Sequence, residues 1–276
     1  MSIQIQNHYN KTDESFNPAV PGNYDLVMQV SDSEVSYSVV ETNQNRFVAL
    51  GVIRMPIEQV LNEYSWLKGN FHSVRIIVEN NLCTMVPAVF FDPAEKGKYL
   101  SFTVEYEASS IVGYDHVASL DLYSVYIFPG RFHSNFMQTL PSARIQHIST
   151  ALIESILGNY KNLMRDRQVF IHVRKENFDL VVFDNRQLSY FNAFSYSVPE
   201  DLAYYVIFVF EQLGLNPEET SVILMGKPDR NSPEYDLLYK YIRNLSIATR
   251  NETCTYSYVF RDVPGQAFYT LLNPGS

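Results

Sequence analysis

Between Leu26 and Pro56 the apolar residues fall in short runs parted by polar turns, LVMQV, VSYSVV and RFVALGVI. Runs of that length bounded by turn residues predict strands over 26–30, 35–40 and 46–53. The same pattern returns between Val169 and Pro199 at a constant offset of 143 residues, without a gap. It predicts strands over 169–173, 178–183 and 189–196, with polar turns at 41–45 and 184–188. Pro56 pairs with Pro199, each where a helix would begin, a place that tolerates the missing N–H. Helices follow over 57–67 and 200–213, the second closed by Gly214, and then strands over 74–78 and 222–225. Ser197 stands before Glu200 and Asp201, where its hydroxyl would cap the second helix.

Each copy is therefore a three-strand meander, a crossover helix and a further strand. Meander strands pair antiparallel, and a strand–helix–strand unit returns parallel with a right-handed crossover. The pattern predicts an internal duplication of two α/β lobes, each a mixed five-stranded sheet with flanking helices. The first copy carries extra elements: a helix over 92–102, strands over 114–118 and 121–128, a helix from Pro129-Gly130 to about residue 140, a strand over 144–148 and a helix over 149–163. The charged stretch 161–167 then joins the copies, so the expected lobes are 1–163 and 164–276. The segment DLAYYVIFVFEQ, 201–212, is apolar nearly all round and predicts a deeply buried helix, a self-association face being the lesser alternative.

Composition narrows the partners. The chain has 276 residues, 46% hydrophobic and 18% charged, enough for one large domain or two medium ones. Its formal net charge of −9 steers it away from phosphate backbones and anionic lipid, so neither nucleic acid nor a membrane is expected as a partner. The opening stretch MSIQIQNHYNKTDES lacks a charged-then-apolar signal pattern, and no apolar run is long enough to span a bilayer, so a cytoplasmic protein is expected. With 20 Tyr and 18 Phe, aromatic side chains remain for contact surfaces, which points to a protein partner and leaves room for a homo-oligomer.

Two copies of strand–strand–strand–helix–strand–helix resemble the actin-like ATPase fold, which is related to ribonuclease H. That superfamily takes in sugar kinases, heat-shock chaperones, a bacterial cell-division actin homologue and pilus-assembly actin-like proteins. More closely, the chain resembles a bacterial family of unknown function assigned to this fold, over about residues 24–273. In the active families, the resemblance implies, ATP lies between the lobes. The turn after the first strand of each lobe reads Asp-x-Gly-[Ser/Thr], and an adenosine strand ends in Gly-Gly. Glycine lets backbone N–H groups approach phosphate, and the carboxylates organise Mg²⁺ and water.

The matching positions here are Val30-Ser31-Asp32-Ser33, Val173-Arg174-Lys175-Glu176 and Gly226-Lys227. Both phosphate-turn glycines are absent, and valine stands for both organising acids. Asp32 would repel phosphate; Arg174 and Lys175 would attract it, but as long flexible side chains without a glycine cradle. Lys227 puts a cation where a base or ribose would lie, and Gly226 keeps the tight exit from strand to helix. Ser31, Asp32, Ser33, Arg174, Lys175, Glu176, Gly226 and Lys227 are therefore the candidate ligand-binding positions of a degenerate interlobe cleft. No catalytic residue and no cofactor is expected; Mg-ATP would be the exception.

Other chemistry finds little footing. The six histidines lack an i,i+4 histidine partner or a nearby cysteine, so no metal site is expected, and His172 reads as a satisfied core side chain. Cys83 and Cys254 read as two reduced, buried thiols. A ribonuclease-H-like nuclease needs sheet carboxylates for two metals, yet neither first strand has a mid-strand acid. The expected function is a non-catalytic binding or scaffolding module of actin-like fold. The alternative is a divergent nucleotide-dependent enzyme or switch.

Overall fold

The computed structural model describes residues 8–101, 109–164 and 166–273. The polar start of the chain, the last residue of the helix expected over 92–102 and Arg165 of the charged joint lie outside them. Two compact units result. An N-terminal unit holds 8–154 with Glu252–Val263 and 270–273, and a C-terminal unit holds Ser155–Asn251 with Pro264–Tyr269.

In chain order the elements are β1 His8–Thr12, β2 Tyr24–Val30, β3 Val35–Glu41, β4 Arg46–Ile53, α1 Ile57–Glu63, β5 Ser73–Val78 and β6 Cys83–Pro87. Next come α2 Lys96–Leu100, β7 Ile111–Val117, β8 Leu122–Phe128, α3 Gly130–Thr139, β9 Arg144–His147 and α4 Ile148–Tyr160. Then follow β10 Gln168–Val173, β11 Asn177–Asp184, β12 Gln187–Ser195, α5 Pro199–Leu213, β13 Ser221–Gly226, α6 Pro233–Tyr239, β14 Leu245–Ile247, β15 Thr255–Tyr256 and α7 Tyr269–Leu272.

The two sheets share one topology. The N-terminal sheet runs β1-β4-β3-β2-β5-β9, with β15 also on β4, and the C-terminal sheet runs β12-β11-β10-β13-β14. Strands β3-β2-β5 and β11-β10-β13 match in direction and register. Met28 faces Tyr37 as Ile171 faces Leu180, and Val30 lies beside Val78 as Val173 lies beside Gly226. β2, β3, β10 and β11 are buried almost throughout, as strands covered on both faces must be. Each sheet supports its own core, one around Leu26, Met28, Ile57 and Val60, the other around Ile171, Leu180, Val206 and Phe210.

The repeat departs from the ungapped alignment at its third strand. Val35 pairs with Ile53, but its counterpart Phe178 pairs with Phe194, not with Tyr196 as the constant offset requires. The cause is the turn. Thr42 to Asn45 separate β3 from β4, whereas Asn185 and Arg186, both at positive φ (49° and 69°), turn β11 tightly into β12. Each hairpin keeps a bulge at the same depth, between Val39 and Val40 and between Val182 and Phe183.

Other boundaries moved. α1 stops at Glu63 and a 3-10 turn, Ser65–Lys68, continues the expected helix. Within 92–101 a 3-10 turn, Pro93–Glu95, precedes the short α2. β1, β6, β14 and β15 were not foreseen; β6, β8 and β7 form a separate three-stranded sheet. The hydroxyl of Ser197 does not cap α5. Instead the Asp201 carboxylate accepts from the backbone N–H of Ser197 (3.0 Å) and Val198 (3.2 Å), the reach-back half of a capping box. α5 buries Leu202, Ala203, Val206, Val209 and Phe210 but leaves Tyr204 and Phe208 exposed, so it is not apolar-buried all round. Among the described residues no helix is long and apolar enough to cross a membrane.

Candidate functional site

The candidate positions belong to two units, and each group is built from its own sheet. In the N-terminal unit β2 runs parallel to β5, so both deliver their carboxyl ends to one edge, the edge at which α/β sheets take ligands. Ser31 to Ser33 form the turn there. Both the N–H and the hydroxyl of Ser31 donate to the Glu34 carbonyl, at 2.9 and 3.2 Å, so the turn is closed on itself. Asp32 points outward and accepts from the Arg131 Nη2 at 2.8 Å.

A cavity of about 400 Å³ opens at this edge, lined among others by Asp32, Glu79, Asn80, Ser110, Gly130 and Arg131. Gly130 starts α3 close against the chain: a Cβ there would stand 2.2 Å from the Ser109 carbonyl oxygen. Glu79 accepts from Gln29 Nε2 at 2.7 Å. The cavity thus presents two carboxylates and one guanidinium, with no glycine turn aimed into it. That suits a small polar ligand better than a polyphosphate.

Behind Asn80 lies a buried polar cluster. The Asn80 amide donates to the Ile127 carbonyl (2.8 Å), and its oxygen accepts from Leu82 N–H (2.8 Å) and faces His147 Nε2 (3.1 Å). That oxygen is an acceptor, so the network assigns the proton to Nε2, leaving Nδ1 to accept from the Ser149 hydroxyl at 2.7 Å. The order Ser149–His147–Asn80 has nucleophile–base–orienter chemistry. Yet His147 and Ser149 are fully buried, and the Ser149 hydroxyl is shared with Ser124 at 2.9 Å. No substrate carbonyl reaches that hydroxyl, and the cluster is structural. Asp115 adjoins it, accepting from the His147 N–H at 2.8 Å. Burial pushes its carboxyl up to about 6, with Glu154 adding to the rise.

In the C-terminal unit Arg174 is not the flexible cation its place in a turn suggests. Its side chain is 2% exposed and grips Asp179 with Nε at 3.0 Å and Nη2 at 2.8 Å. His172, opposite Asp179 in the β10–β11 ladder, brings its Nδ1 to 3.1 Å of the same carboxylate. Burial alone would raise the Asp179 pKa, but Arg174 and His172 override it and hold the carboxyl below its ordinary value. His172 is the satisfied core side chain expected of it. Lys175 and Glu176 are exposed and stand 3.8 Å apart.

Gly226 closes β13 at φ +90°, and a Cβ on it would lie 2.1 Å from the Val173 carbonyl oxygen. Its N–H donates to Gln266 O (2.9 Å), and the N–H of Lys227 donates to Val173 O (3.0 Å). Both backbone donors at this strand end are therefore spent within the fold. Val173, Gly226 and Lys227 are brought together at the ends of the parallel β10 and β13, while the Arg174 guanidinium is directed into the sheet. Sequence reasoning missed Asp179 as its partner. The signal was present: His172 and Arg174 alternate on one strand, and Asp179 faces them across a tight hairpin. Among the described residues no group of three His, Cys, Asp or Glu side chains is placed to hold a metal ion.

Comparisons with known proteins agree on architecture. Residues 13–245 match a family described as "Protein of unknown function (DUF3822)". A crystal structure from Bacteroides thetaiotaomicron VPI-5482, of a protein with actin-like ATPase fold and unknown function, superposes with a TM-score of 0.77. The two are 21% identical over 87% of this chain and 95% of that one. A structure of the PilM–PilN type IV pilus biogenesis complex matches with a TM-score of 0.60 at 10% identity, over 92% of this chain and 98% of that one. The fold is that of the actin-like ATPases, duplicated within one chain. No curated protein matches the sequence.

Proposed function

We propose that this chain, which belongs to that family of unknown function, is a non-catalytic, cytoplasmic binding or scaffolding module that engages a protein partner and does not hydrolyse ATP. The observation that carries this reading is the fate of Arg174. The cation best placed in the second phosphate turn is locked on Asp179 and His172 inside the sheet. Valine stands at the metal-organising position of both turns. Phosphoryl transfer needs a metal, a cradle of backbone donors and a charge clamp, and the residues at these turns supply none of the three. The neighbour of the same fold in a PilM–PilN complex supports such a fold serving as a docking body. The net charge of −9 favours a protein over a polyanionic partner. A second reading, a divergent nucleotide-binding switch, rests on the exposed Lys175 and Lys227 at the strand ends of the C-terminal unit.

Thermal-shift and calorimetric titration with ATP, ADP and GTP, with and without Mg²⁺, decides between them. A ligand that binds only the native state must raise its melting temperature. The expected result is no shift at millimolar nucleotide. Saturable binding that weakens on Lys175→Glu or Lys227→Glu would overturn the proposal and put the switch first.

A further inference from the structure

The duplication exposes an asymmetry. In the N-terminal sheet β4 carries an antiparallel strand, β1, along its outer side, and β15 pairs there too. In the C-terminal sheet the equivalent strand, β12, is the edge, and no described strand lies beyond it. β4 is buried from Phe47 to Ile53, whereas every residue of β12 is exposed or half-exposed.

The backbone of β12 is phased for a partner. The Tyr196 N–H donates inward to Glu176 O at 3.0 Å. Antiparallel bonding alternates, so Phe194, Asn192 and Tyr190 also bond inward, and Phe191 and Ala193 turn their N–H and C=O groups to the open edge, while Ser189 is the extra residue of the bulge. Their counterparts on β4 are Val48, Leu50 and Val52, which face Asp13, Lys11 and Tyr9. Exposed edges are ordinarily blunted by proline, lysine, inward charge or a bulge. Gln187–Ser195 contains no proline, no lysine and no residue charged at neutral pH, and its bulge lies near one end, at Ser189. Beside the edge an aromatic shelf begins at Phe194, whose ring stacks on Tyr205 at 5.0 Å. It continues through Tyr204, 5.4 Å from Tyr205, to Phe208, 6.4 Å from Tyr204, and Tyr204 and Phe208 are 65% and 45% exposed.

We propose that β12 is a self-association edge, pairing antiparallel with β12 of a second copy across a two-fold axis. A register centred on Phe191 sets the outward groups of Phe191 against their twins and the Ala193 N–H against the Ser189 carbonyl, as the Asp13 N–H meets the Val48 carbonyl on β4. The absence of charge selects a second copy as the occupant. Two molecules of net charge −9 repel almost everywhere, and least at a strand with nothing ionised to oppose its twin. The isologous contact closes at two subunits and covers both aromatic shelves. The association does not depend on whether nucleotide binds.

Sedimentation equilibrium on the full chain tests this, alongside two variants. Phe191→Pro removes an outward N–H and no ladder bond within the sheet, which an edge strand tolerates. The double change Ser189→Lys with Ala193→Lys opposes lysines across the two-fold axis. For the wild type the expected mass rises from 31.9 kDa to twice that between micromolar and millimolar concentration. Both variants are expected to stay monomeric with unchanged circular dichroism. Should Phe191→Pro fail to fold, the lysine pair decides. A wild type that keeps the monomer mass throughout would overturn the proposal, including the case where a strand of some other protein fills the edge. A dimer that persists in the folded variants would also overturn it.

Discussion

Arg174 and Lys175 are neighbours in the chain and opposites in environment. Removing one partner of a buried ion pair strands the other charge, so Arg174→Ala is expected to cost about 3–5 kcal/mol of unfolding free energy. Lys175→Ala, at an exposed position, should change it by no more than about 0.5 kcal/mol. Urea denaturation of the two variants checks this, and an equally harmless Arg174→Ala would show that the Asp179 grip is unimportant to the fold. Asp115 makes a different statement, through pH. An acid whose folded pKa lies near 6, above the roughly 3.9 of an unfolded chain, favours its protonated form in the native state. Its contribution to stability is full below about pH 4 and is lost as pH rises through about 6. The Tyr126 hydroxyl and the His147 backbone N–H donate to it, and Glu154 adds negative charge beside it. Asp115→Asn should therefore flatten the stability profile between about pH 4 and 6, by on the order of 1–2 kcal/mol. Melting curves across that range measure it, and parallel profiles for variant and wild type would refute it.

At the scale of elements, the duplication was legible because strand runs, turns and the two prolines recur in order. The two-residue slip of β12 was not, for a physical reason. Side chains alternate with a period of two, so a slip of two keeps every residue on its face, and the hydrophobic pattern reads the same in either register. Only the length of the hairpin turn distinguishes them. β1 was hidden for a related reason: HYNKT has no apolar alternation, and it is a strand because β4 offers it a ladder. α5 looked buried all round because tyrosine counts as apolar in a pattern, yet Tyr204 stands out in solvent. In the candidate site the missing glycines could be read directly. The pairing of Arg174 with Asp179 could not, because it needs the hairpin register before the side chains can meet. The tight turn carries its own prediction. A non-glycine residue in the left-handed region costs about 1–2 kcal/mol, and Arg186 sits there at φ 69°. Arg186→Gly should stabilise the hairpin by about 1 kcal/mol, read as a higher urea midpoint; a lower midpoint would mean that the Arg186 side chain holds the turn.

For the molecule as a whole, the two copies of one topology have been put to unequal use. Among the described residues the N-terminal unit carries β1, β15 and the small sheet of β6, β8 and β7 besides the shared strands, whereas the C-terminal unit has the five strands of its sheet. The proposed role as a body for contacts rests on its free edge and on the degraded phosphate turns together. The pairing of β15 on β4 reaches further. Thr255 and Tyr256 lie beside Arg46 and Phe47, more than two hundred residues upstream, and the Ser38 hydroxyl donates to the Leu271 carbonyl at 2.9 Å. On the ribosome the strands of the C-terminal sheet, Gln168 to Ile247, are all made before these contacts become available. The unit that is translated first is thus the one that finishes last. Until then the outer side of β4 is only partly covered, and the nascent chain exposes an open strand edge.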